Sequence, residues 1–502
     1  MEMYLVSLFL LSLLTFSNAK NSCKIGVNYG QLGDNLPSPS QSINLIKTLK
    51  AGRVKLYDAN PEILKLLADT KLQVSIMVPN QAISNISSNQ TLADEWVRTN
   101  VLPFYPKTMI RLILVGNEIL SFYSDQEKQT WYDLVPAMRK IKHSLKTHNI
   151  RNVKIGTPLA MDVVESTFPP SNGTFRSDIS VPVIKPLLQF LNRTKSFFFL
   201  DVYPFFPWSA NPKEISLDYA LFKGGNLTYT DPGSSLTYTN LLDQMVDSVI
   251  FAMTKLGFSK LRLSISETGW PNSGDVDQTG ANIYNAATYN RNLIKKMTSE
   301  PPVGTPARPG TVIPTFIFAL YNENQKGGPG TERHWGMLYP NGTGIYEVDL
   351  TGKRPEYDYK PLPAPANNEP YKGKIWCVAA KGVNTTELGS AITYACGQGN
   401  GTCDPLFPGK ECYQPVSLVS HANYAFSSYW VQFRSLGGTC YFNGLAVQTT
   451  RDPSKSSTFT IFYFILFVLF FFGCVSWILQ VSKCDPLRER QYSVQRRKWL
   501  FS

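Results

Sequence analysis

Eight short apolar runs alternate with longer segments of helical periodicity between residues 24 and 324 of this chain. The runs lie at 24–29, 53–57, 72–78, 110–118, 153–157, 196–203, 261–267 and 315–323. Continuous apolar strands are typical of a parallel sheet covered on both faces, and eight of them over about 300 residues match the size of a (β/α)8 barrel. We therefore predict an α/β fold with a TIM barrel over residues 24–355. Intervening helices are predicted at 40–50, 131–146, 183–192, 239–256 and 281–297.

The N-terminus carries an apolar segment from Leu5 to Phe16, followed by the small-x-small pattern Ser17-Asn18-Ala19. This pattern is typical of a secretory signal peptide, so we expect residues 1–19 to be removed; a short buried helix is the alternative. Sequons of the form N-x-[ST] support passage through the secretory pathway. The predicted glycosylation sites are Asn85, Asn89, Asn172, Asn192, Asn226, Asn341, Asn384 and Asn400.

The composition changes after the predicted barrel. Residues 356–373 include the proline-rich stretch KPLPAPANNE, in which proline disfavours helix and sheet, so we expect an extended linker. Residues 374–453 are rich in Cys, Gly and Ser and too few for a large core, which favours a small disulfide-stapled domain. Its cysteines are Cys377, Cys396, Cys403, Cys412 and Cys440. CxxC spacing is absent from the sequence, which argues against a zinc site.

The C-terminal region contains an uncharged, strongly apolar segment long enough to cross a bilayer, and we predict a transmembrane helix over residues 458–481. The basic tail, residues 482–502, favours a cytoplasmic position by the positive-inside rule. A cleaved lipid-anchor signal and a wrongly spliced gene model are the alternatives. The predicted location is therefore the plasma membrane, with the folded domains on the extracellular face.

The net charge of +12 would be compatible with nucleic acid binding only if the basic residues formed a cluster. They are not clustered in the body of the chain, and about a third of the surplus belongs to the tail. No nucleic acid partner is expected. The sequence contains no nucleotide-binding phosphate loop, no HExxH pair and no GxSxG elbow, so we predict no cofactor and no metal.

Two of the predicted strands end in glutamate, at Gly116-Asn117-Glu118 and at Ser266-Glu267. Active sites of such barrels lie at the carboxyl ends of the strands. A single glutamate there is more often a solvated loop residue, but two can face each other across the barrel mouth. Retaining cleavage of a glycosidic bond requires an acid and a carboxylate about 5 Å apart. Glu118 is the predicted proton donor, with a pKa raised by burial and neighbouring charge, and Glu267 is the predicted nucleophile.

The order of several short motifs identifies a family. GVNYG at 26–30, VKLYD at 54–58, VGNE at 115–118, DVYPFF at 201–206, SETGWP at 266–271 and YNENQK at 321–326 resemble the signature segments of glycoside hydrolase family 17, the plant endo-β-1,3-glucanases. The resemblance runs from residue 25 to about 350. It implies a retaining TIM-barrel enzyme with β-1,3-glucan, such as callose or laminarin, as substrate, and with Glu118 as acid/base and Glu267 as nucleophile.

The same resemblance implies further residues at the cleft. Tyr57 is expected beside the nucleophile. Independently of the resemblance, Asn117 stands next to Glu118 and is expected to hydrogen-bond the 2-hydroxyl of the attacked sugar. The remaining expected cleft residues are Glu323, Lys326 and Glu332. Aromatic side chains stack on the apolar faces of sugar rings, and the candidates for this are Tyr203, Phe205 and Trp270. Packing in the core or at the rim is the alternative for these three.

The second unit is similar to the plant family 43 carbohydrate-binding module, on the segments WCVA at 376–379, YACGQG at 394–399, PGKEC at 408–412 and SHANYA at 420–425. The family pattern of six cysteines implies the disulfides Cys377–Cys440 and Cys396–Cys403. Here the sixth cysteine is absent, since Asp452-Pro453 leads directly to the membrane approach. Cys412 therefore lacks the sixth cysteine of that pattern, and pairing with Cys23 is the alternative.

Three functions are compatible with these motifs. The first is hydrolysis within β-1,3-glucan chains by a monomeric enzyme. The second is a membrane receptor or scaffold that binds the glucan without cleaving it, an alternative that the cytoplasmic tail raises. The third is transglycosylation, in which another glucan replaces water as the acceptor. Because both glutamates stand in intact motifs, hydrolysis is the leading prediction.

Overall fold

The computed structural model describes residues 25–399 and 401–453. The first unit is built on nine parallel strands: β1 Gly26–Tyr29, β2 Arg53–Leu56, β3 Gln73–Val78, β4 Ile110–Val115, β5 Lys154–Gly156, β6 Pro158–Ala160, β7 Phe198–Asp201, β8 Leu263–Thr268 and β9 Thr315–Ile317. They pair in the order β5-β4-β3-β2-β1-β9-β8-β7-β6. Only Thr157 separates β5 from β6, so these two are halves of one strand and the sheet nearly closes into a barrel of eight positions. The predicted parallel barrel is confirmed.

Helices connect successive strands and cover the outside of the barrel. Those of six residues or more are Pro39–Thr48, Pro61–Leu66, Ile83–Ser88, Gln90–Asn100, Asp125–Thr147, Lys185–Arg193, Phe205–Ala210, Leu241–Lys255 and Ile283–Met297. Their starts follow ordinary capping chemistry. Ser124 accepts a hydrogen bond from the amide of Glu127, and the Glu127 side chain accepts one from the amide of Ser124. This capping box begins the helix six residues before the predicted start at residue 131.

Two predicted strands end at least three residues earlier in the structure than predicted. The run predicted over 110–118 ends at Val115, and the run predicted over 315–323 ends at Ile317. In both cases the polar residues after the apolar run leave the sheet and form the loops above the barrel. That difference places Glu118 and Glu323 in the loops that follow these two strands.

The second unit contains more helix than its composition suggests. Its helices are Thr385–Gly397 and Leu418–Phe433, and its antiparallel strands are Trp376–Ala379 and Ala446–Thr449. Leu388, Phe426 and Trp430 lie in its small buried core. The structure joins Cys377 to Cys440 and Cys396 to Cys403, the two pairs that the resemblance implies. Cys412 is buried and belongs to neither disulfide.

The linker between the units is attached to the barrel along part of its length. Asn282 donates hydrogen bonds to the side chains of Asn367 and Asn368, at 2.8 and 2.9 Å. Asn285 also donates to Asn368, at 2.7 Å. Residues 359–373 contain no helix or strand. The linker is not a free spacer, because its asparagines are bound to the helix Ile283–Met297 and the loop before it.

The second unit also contacts the rim of the barrel directly. The rim loop, residues 324–333, follows the last barrel strand. The Arg333 guanidinium stacks on the ring of Tyr441 at 3.8 Å, and the Tyr441 hydroxyl donates to the carbonyl of Asn324 at 3.3 Å. The Gln448 side chain donates to the Asp277 carboxylate at 3.0 Å. Two attachments, the linker and this contact, therefore hold the units together.

Several predictions fall on residues that the structure does not describe. The signal peptide, the transmembrane segment at 458–481, the basic tail and Asn400 lie outside the described residues. Within residues 25–399 and 401–453, we find no helix with the length and apolar character needed to cross a bilayer. The other seven sequon asparagines are all exposed to solvent.

Candidate active site

A cavity of about 1120 Å³ lies over the carboxyl ends of the barrel strands. Eight of the ten residues predicted to bind or cleave substrate line it: Tyr57, Asn117, Glu118, Tyr203, Glu267, Glu323, Lys326 and Glu332. They come from strand ends and loops spread over 275 positions of the chain, from 57 to 332. The barrel topology brings them together because parallel strands end on one side.

Glu267 lies near the end of β8 and is surrounded by donors. One carboxylate oxygen, Oε1, accepts hydrogen bonds from the Lys55 ammonium and the Tyr57 hydroxyl, each at 2.6 Å. The other, Oε2, accepts from the Tyr203 hydroxyl at 2.7 Å. Burial raises the pKa of Glu267, but the charge and hydrogen bond of Lys55 and the two tyrosine hydroxyls outweigh burial, so the pKa lies below its usual value. Glu267 is therefore an oriented, ionised carboxylate.

Glu118 reaches the same cavity from a sharp turn after β4. Gly116 has φ +71°, and an added Cβ there would lie 2.6 Å from the side chain of Ile83, so this turn requires glycine. Glu118 itself has a left-handed backbone, with φ 50°. The turn is fixed by Asn80, whose side chain accepts from the Asn117 amide at 2.8 Å and donates to the Asn117 carbonyl at 3.2 Å. The local backbone thus aims Glu118 into the cavity instead of along the strand.

Glu118 has the opposite electrostatic environment to Glu267. Burial, and then the negative charge of Glu267, raise the pKa of Glu118 to about 8. At neutral pH one carboxyl of the pair is therefore protonated and the other is ionised. Two carboxyls whose surroundings separate their pKa values in this way can act as a general acid and a nucleophile.

The side-chain oxygen of Asn117, Oδ1, is buried and has no hydrogen-bond partner among the described residues. Asn117 precedes the proton donor candidate and lines the same cavity. A buried amide oxygen without a partner is costly and is often completed by a ligand. This position suits a hydrogen bond from a hydroxyl of bound substrate.

Glu323, Lys326 and Glu332 line another part of the cavity wall. Glu323 accepts from the amide of Leu32 at 2.9 Å and lies 3.8 Å from the Lys326 ammonium. Burial raises the pKa of both Glu323 and Glu332, while Lys326 opposes that rise. Gly30 faces this carboxyl, since an added Cβ would lie 2.3 Å from a Glu323 oxygen. These groups supply both donors and acceptors for hydroxyl groups.

Comparison with known proteins agrees with the geometry. The family model described as glycosyl hydrolases family 17 matches residues 25–350. This chain belongs to glycosyl hydrolase family 17. A second model, the X8 domain, matches residues 375–447, which confirms the predicted carbohydrate-binding type of the second unit.

Curated relatives of this family 17 protein include the probable glucan endo-1,3-beta-glucosidase A6 of Arabidopsis thaliana. It is 62% identical over 432 residues, which cover 86% of this chain and 90% of that protein. Glucan endo-1,3-beta-glucosidase 4 of the same plant is 39% identical, with 89% of this chain and 85% of that protein covered.

Solved structures also resemble the barrel. A beta-1,3-glucanase and allergen of Cryptomeria japonica pollen, CJP38, is 40% identical with a TM-score of 0.61, over 65% of this chain and 99% of that chain. A plant beta-glucan endohydrolase is 33% identical with a TM-score of 0.59, over 65% of this chain and all of that chain.

Two of the predicted stacking residues of the family 17 barrel do not face the cleft. Phe205 is 3% exposed and Trp270 is fully buried, and neither lines the cavity. Their rings pack against each other with centroids 5.4 Å apart, and the Trp270 indole donates to the carbonyl of Gly280 at 2.8 Å. The prediction for these two was wrong because the core satisfies both rings. Phe206 and Trp335 line the cavity instead.

Tyr203 lines the cavity, but its hydroxyl is bound to Glu267, so it orients the carboxylate besides offering a ring face. Lys55 was not predicted from the sequence. It stands two residues before Tyr57, and side chains two apart on a strand share a face. A lysine within the apolar strand β2, on the same face as an expected cleft residue, was the available signal. Among the described residues, no group of histidine, cysteine or acidic side chains could hold a metal ion.

Proposed function

We propose that this family 17 protein cleaves β-1,3-glucosidic bonds within glucan chains, with Glu267 as nucleophile and Glu118 as acid/base. The observation that carries this proposal is that one cavity contains an ionised Glu267, which accepts hydrogen bonds from several donors, and a protonated Glu118. The relatives' names supply the linkage and the position of cleavage, since they are glucan endo-1,3-beta-glucosidases.

The reaction follows from these protonation states. Glu267 attacks the anomeric carbon while Glu118 gives its proton to the departing oxygen, so a glycosyl ester forms on Glu267 and the shortened glucan leaves. Glu118, now ionised, takes a proton from water as that water attacks the same carbon. The ester bond to Glu267 breaks, and a sugar with the original β configuration is released. Asn117 would hold the 2-hydroxyl of the attacked sugar during both steps.

Hydrolysis can be tested with the secreted fragment, residues 20–453, on laminarin. Wild type should release reducing ends, and a proton NMR spectrum taken early should show the β anomer. Glu267→Gln should bind laminarin without cleaving it. Glu118→Gln should cleave poorly but react faster on substrates whose leaving group needs no proton.

Each alternative has its own outcome in this experiment. Early appearance of the α anomer would contradict the retaining mechanism. Binding by both wild type and Glu267→Gln with no release of sugar would favour the glucan-binding scaffold. Longer products at high substrate concentration would identify transglycosylation, which uses the same two glutamates.

We further propose that the protein is a secreted, glycosylated monomer held at the plasma membrane and facing the cell wall, with callose or a related wall glucan as its substrate. The apolar segment at 458–481, the basic tail and the exposed sequon asparagines support this. Peptide mapping of the mature C-terminus tests it. Recovery of peptides beyond Lys483 would support a retained helix, and their absence together with a lipid-modified end would support an anchor.

A further inference from the structure

A third carboxyl group lies beside the proposed catalytic pair. Asp201 is the last residue of β7, and in the parallel pairing of β7 with β8 it stands opposite Glu267. It lines the cavity, yet it is only 2% exposed. The barrel thus places a buried acid next to the nucleophile, and the proposed reaction assigns it no step.

Asp201 has few hydrogen-bond donors around it to stabilise a carboxylate. Its Oδ1 accepts from the hydroxyl of Ser266 at 2.5 Å, and Ser266 immediately precedes the nucleophile. Its Oδ2 is buried and has no hydrogen-bond partner among the described residues. A carboxylate buried with one hydroxyl donor would remain largely uncompensated, which favours the protonated form. Glu267, by contrast, receives one ammonium and two hydroxyl donors.

The charges around Asp201 also favour its neutral form. Burial, followed by the charge of Glu267, holds the pKa of Asp201 well above its usual range, and Lys55 only partly opposes this. The Lys55 ammonium is already bound to Glu267 at 2.6 Å. The titratable groups that face Asp201 from the neighbouring strands and loops are Glu267, Lys55, Glu118, Tyr57 and Tyr203.

We propose that Asp201 is a positioning residue that remains protonated throughout the catalytic cycle and fixes the end of β8 through Ser266. With Asp201 and Glu118 both neutral, Glu267 is the single negative charge among the three carboxyl groups before substrate binds. An ionised Asp201 would repel Glu267 and displace the strand end that carries it. This inference rests on the proposed hydrolysis by Glu118 and Glu267, and it adds a residue that no step of that reaction requires.

The test compares two substitutions in the secreted fragment. Asp201→Asn keeps the size, the neutrality and the acceptor for Ser266, so kcat and KM on laminarin should stay close to wild type. Asp201→Leu removes the acceptor, so kcat should fall by about tenfold or more while KM changes little. A large loss of kcat in Asp201→Asn, equal to that in Asp201→Leu, would overturn the proposal because it would show that the charge is needed. Wild-type activity in both variants would also overturn it.

Infrared spectroscopy gives a readout that does not depend on activity. At pH 7 the wild-type spectrum should contain the carbonyl band of a protonated acid that disappears in Asp201→Asn. A second such band should disappear in Glu118→Gln. Absence of the first band in the wild type would overturn the proposal even if the enzyme hydrolyses glucan. Failure of the proposed function itself would appear separately, as an inactive wild type.

Asp247 provides a matched control. It is a buried acid whose pKa burial raises to about 7, and it accepts from the amide of Ala307 at 2.8 Å. It does not line the cavity. Asp247→Asn should also remove a protonated-acid band at pH 6 but should leave kcat and KM unchanged. A kcat loss in this control as large as in Asp201→Leu would show that any buried acid has the effect, which would contradict a specific role for Asp201.

Discussion

The ammonium group of Lys55 lies 2.6 Å from a carboxylate oxygen of Glu267, and the Lys55 side chain is entirely buried. The two residues are 212 positions apart in the chain and meet because β2 and β8 contribute side chains to the same end of the barrel. This buried cation explains how a carboxylate that is almost entirely buried remains ionised, since burial alone would favour its neutral form.

Lys55→Met should remove the support for that charge. We expect the pKa of Glu267 to rise, so that the acid limb of the pH profile of kcat/KM moves to higher pH, and kcat/KM should fall by about 100-fold or more at neutral pH. Stability should decrease by about 3–5 kcal/mol, because the substitution leaves one partner of a buried ion pair. Lys326→Met is the control, since its ammonium is 3.8 Å from Glu323 and should not set the acid limb. An unmoved limb in Lys55→Met would contradict this account.

Glu118 should make the stability of the enzyme depend on pH. Its pKa is raised from 4.5 to about 8 in the folded protein, so the folded state binds more protons than the unfolded state between these values. The free energy of unfolding should therefore lose this contribution as pH rises from about 4.5 to about 8. Glu118→Gln removes the effect, so its melting temperature relative to wild type should increase over that interval. A constant difference from pH 5 to pH 8 would mean that the pKa of Glu118 is not raised.

The same pKa sets the alkaline limit of activity. A general acid must be protonated when substrate binds, so kcat/KM should decline near pH 8 and above. In Glu118→Gln the remaining activity on a substrate with a good leaving group should lose this limb. Persistence of the limb in that variant would assign it to another group.

Adjacent phenylalanines should respond differently to truncation. Phe206 is 47% exposed and lines the cavity, so Phe206→Ala should raise KM on laminarin by about 3–10-fold with little change in stability. Phe205 is packed in the core, so Phe205→Ala should cost about 3–5 kcal/mol of stability. Thermal unfolding and initial rates on the two proteins distinguish these outcomes. A larger rise in KM for Phe205→Ala than for Phe206→Ala would reverse the assignment.

The disulfide Cys377–Cys440 connects the start of the second unit to the region before its last strand. Replacing both residues by serine should destabilise that unit by about 2–5 kcal/mol. Binding to insoluble β-1,3-glucan should weaken, whereas hydrolysis of short soluble chains should continue because the barrel has its own core. Cys412→Ser serves as the control and should have a smaller effect. Loss of activity on short chains in the double variant would show that the units do not fold independently.

The placement of Glu118 and Glu267 in one cavity was predictable because their signal is local. An apolar run followed by a carboxylate marks the end of a buried strand, and parallel strands bring all such ends together. The pair Glu118 and Glu267 therefore followed from the sequence and the resemblance. The barrel was predictable for the same reason, since strands covered on both faces have continuous apolar sequences.

Other features depend on contacts between distant parts of the chain. Lys55 is buried only because Glu267 compensates its charge, and nothing near Lys55 in the sequence indicates that partner. Phe205 and Phe206 are neighbours of the same type, and the direction in which the helix Phe205–Ala210 starts decides which ring is buried. The helices of the second unit were missed because a disulfide-bonded domain with a small core provides few apolar residues to reveal helical periodicity.

The rim loop, residues 324–333, lies between the cavity and the second unit. One side carries Lys326 and Glu332 to the cavity, and the other meets Tyr441 through Arg333 and the carbonyl of Asn324. Together with the hydrogen bonds of the linker asparagines, these contacts attach the second unit to the barrel at two places. A polysaccharide bound to the second unit would therefore reach the cavity from one preferred direction.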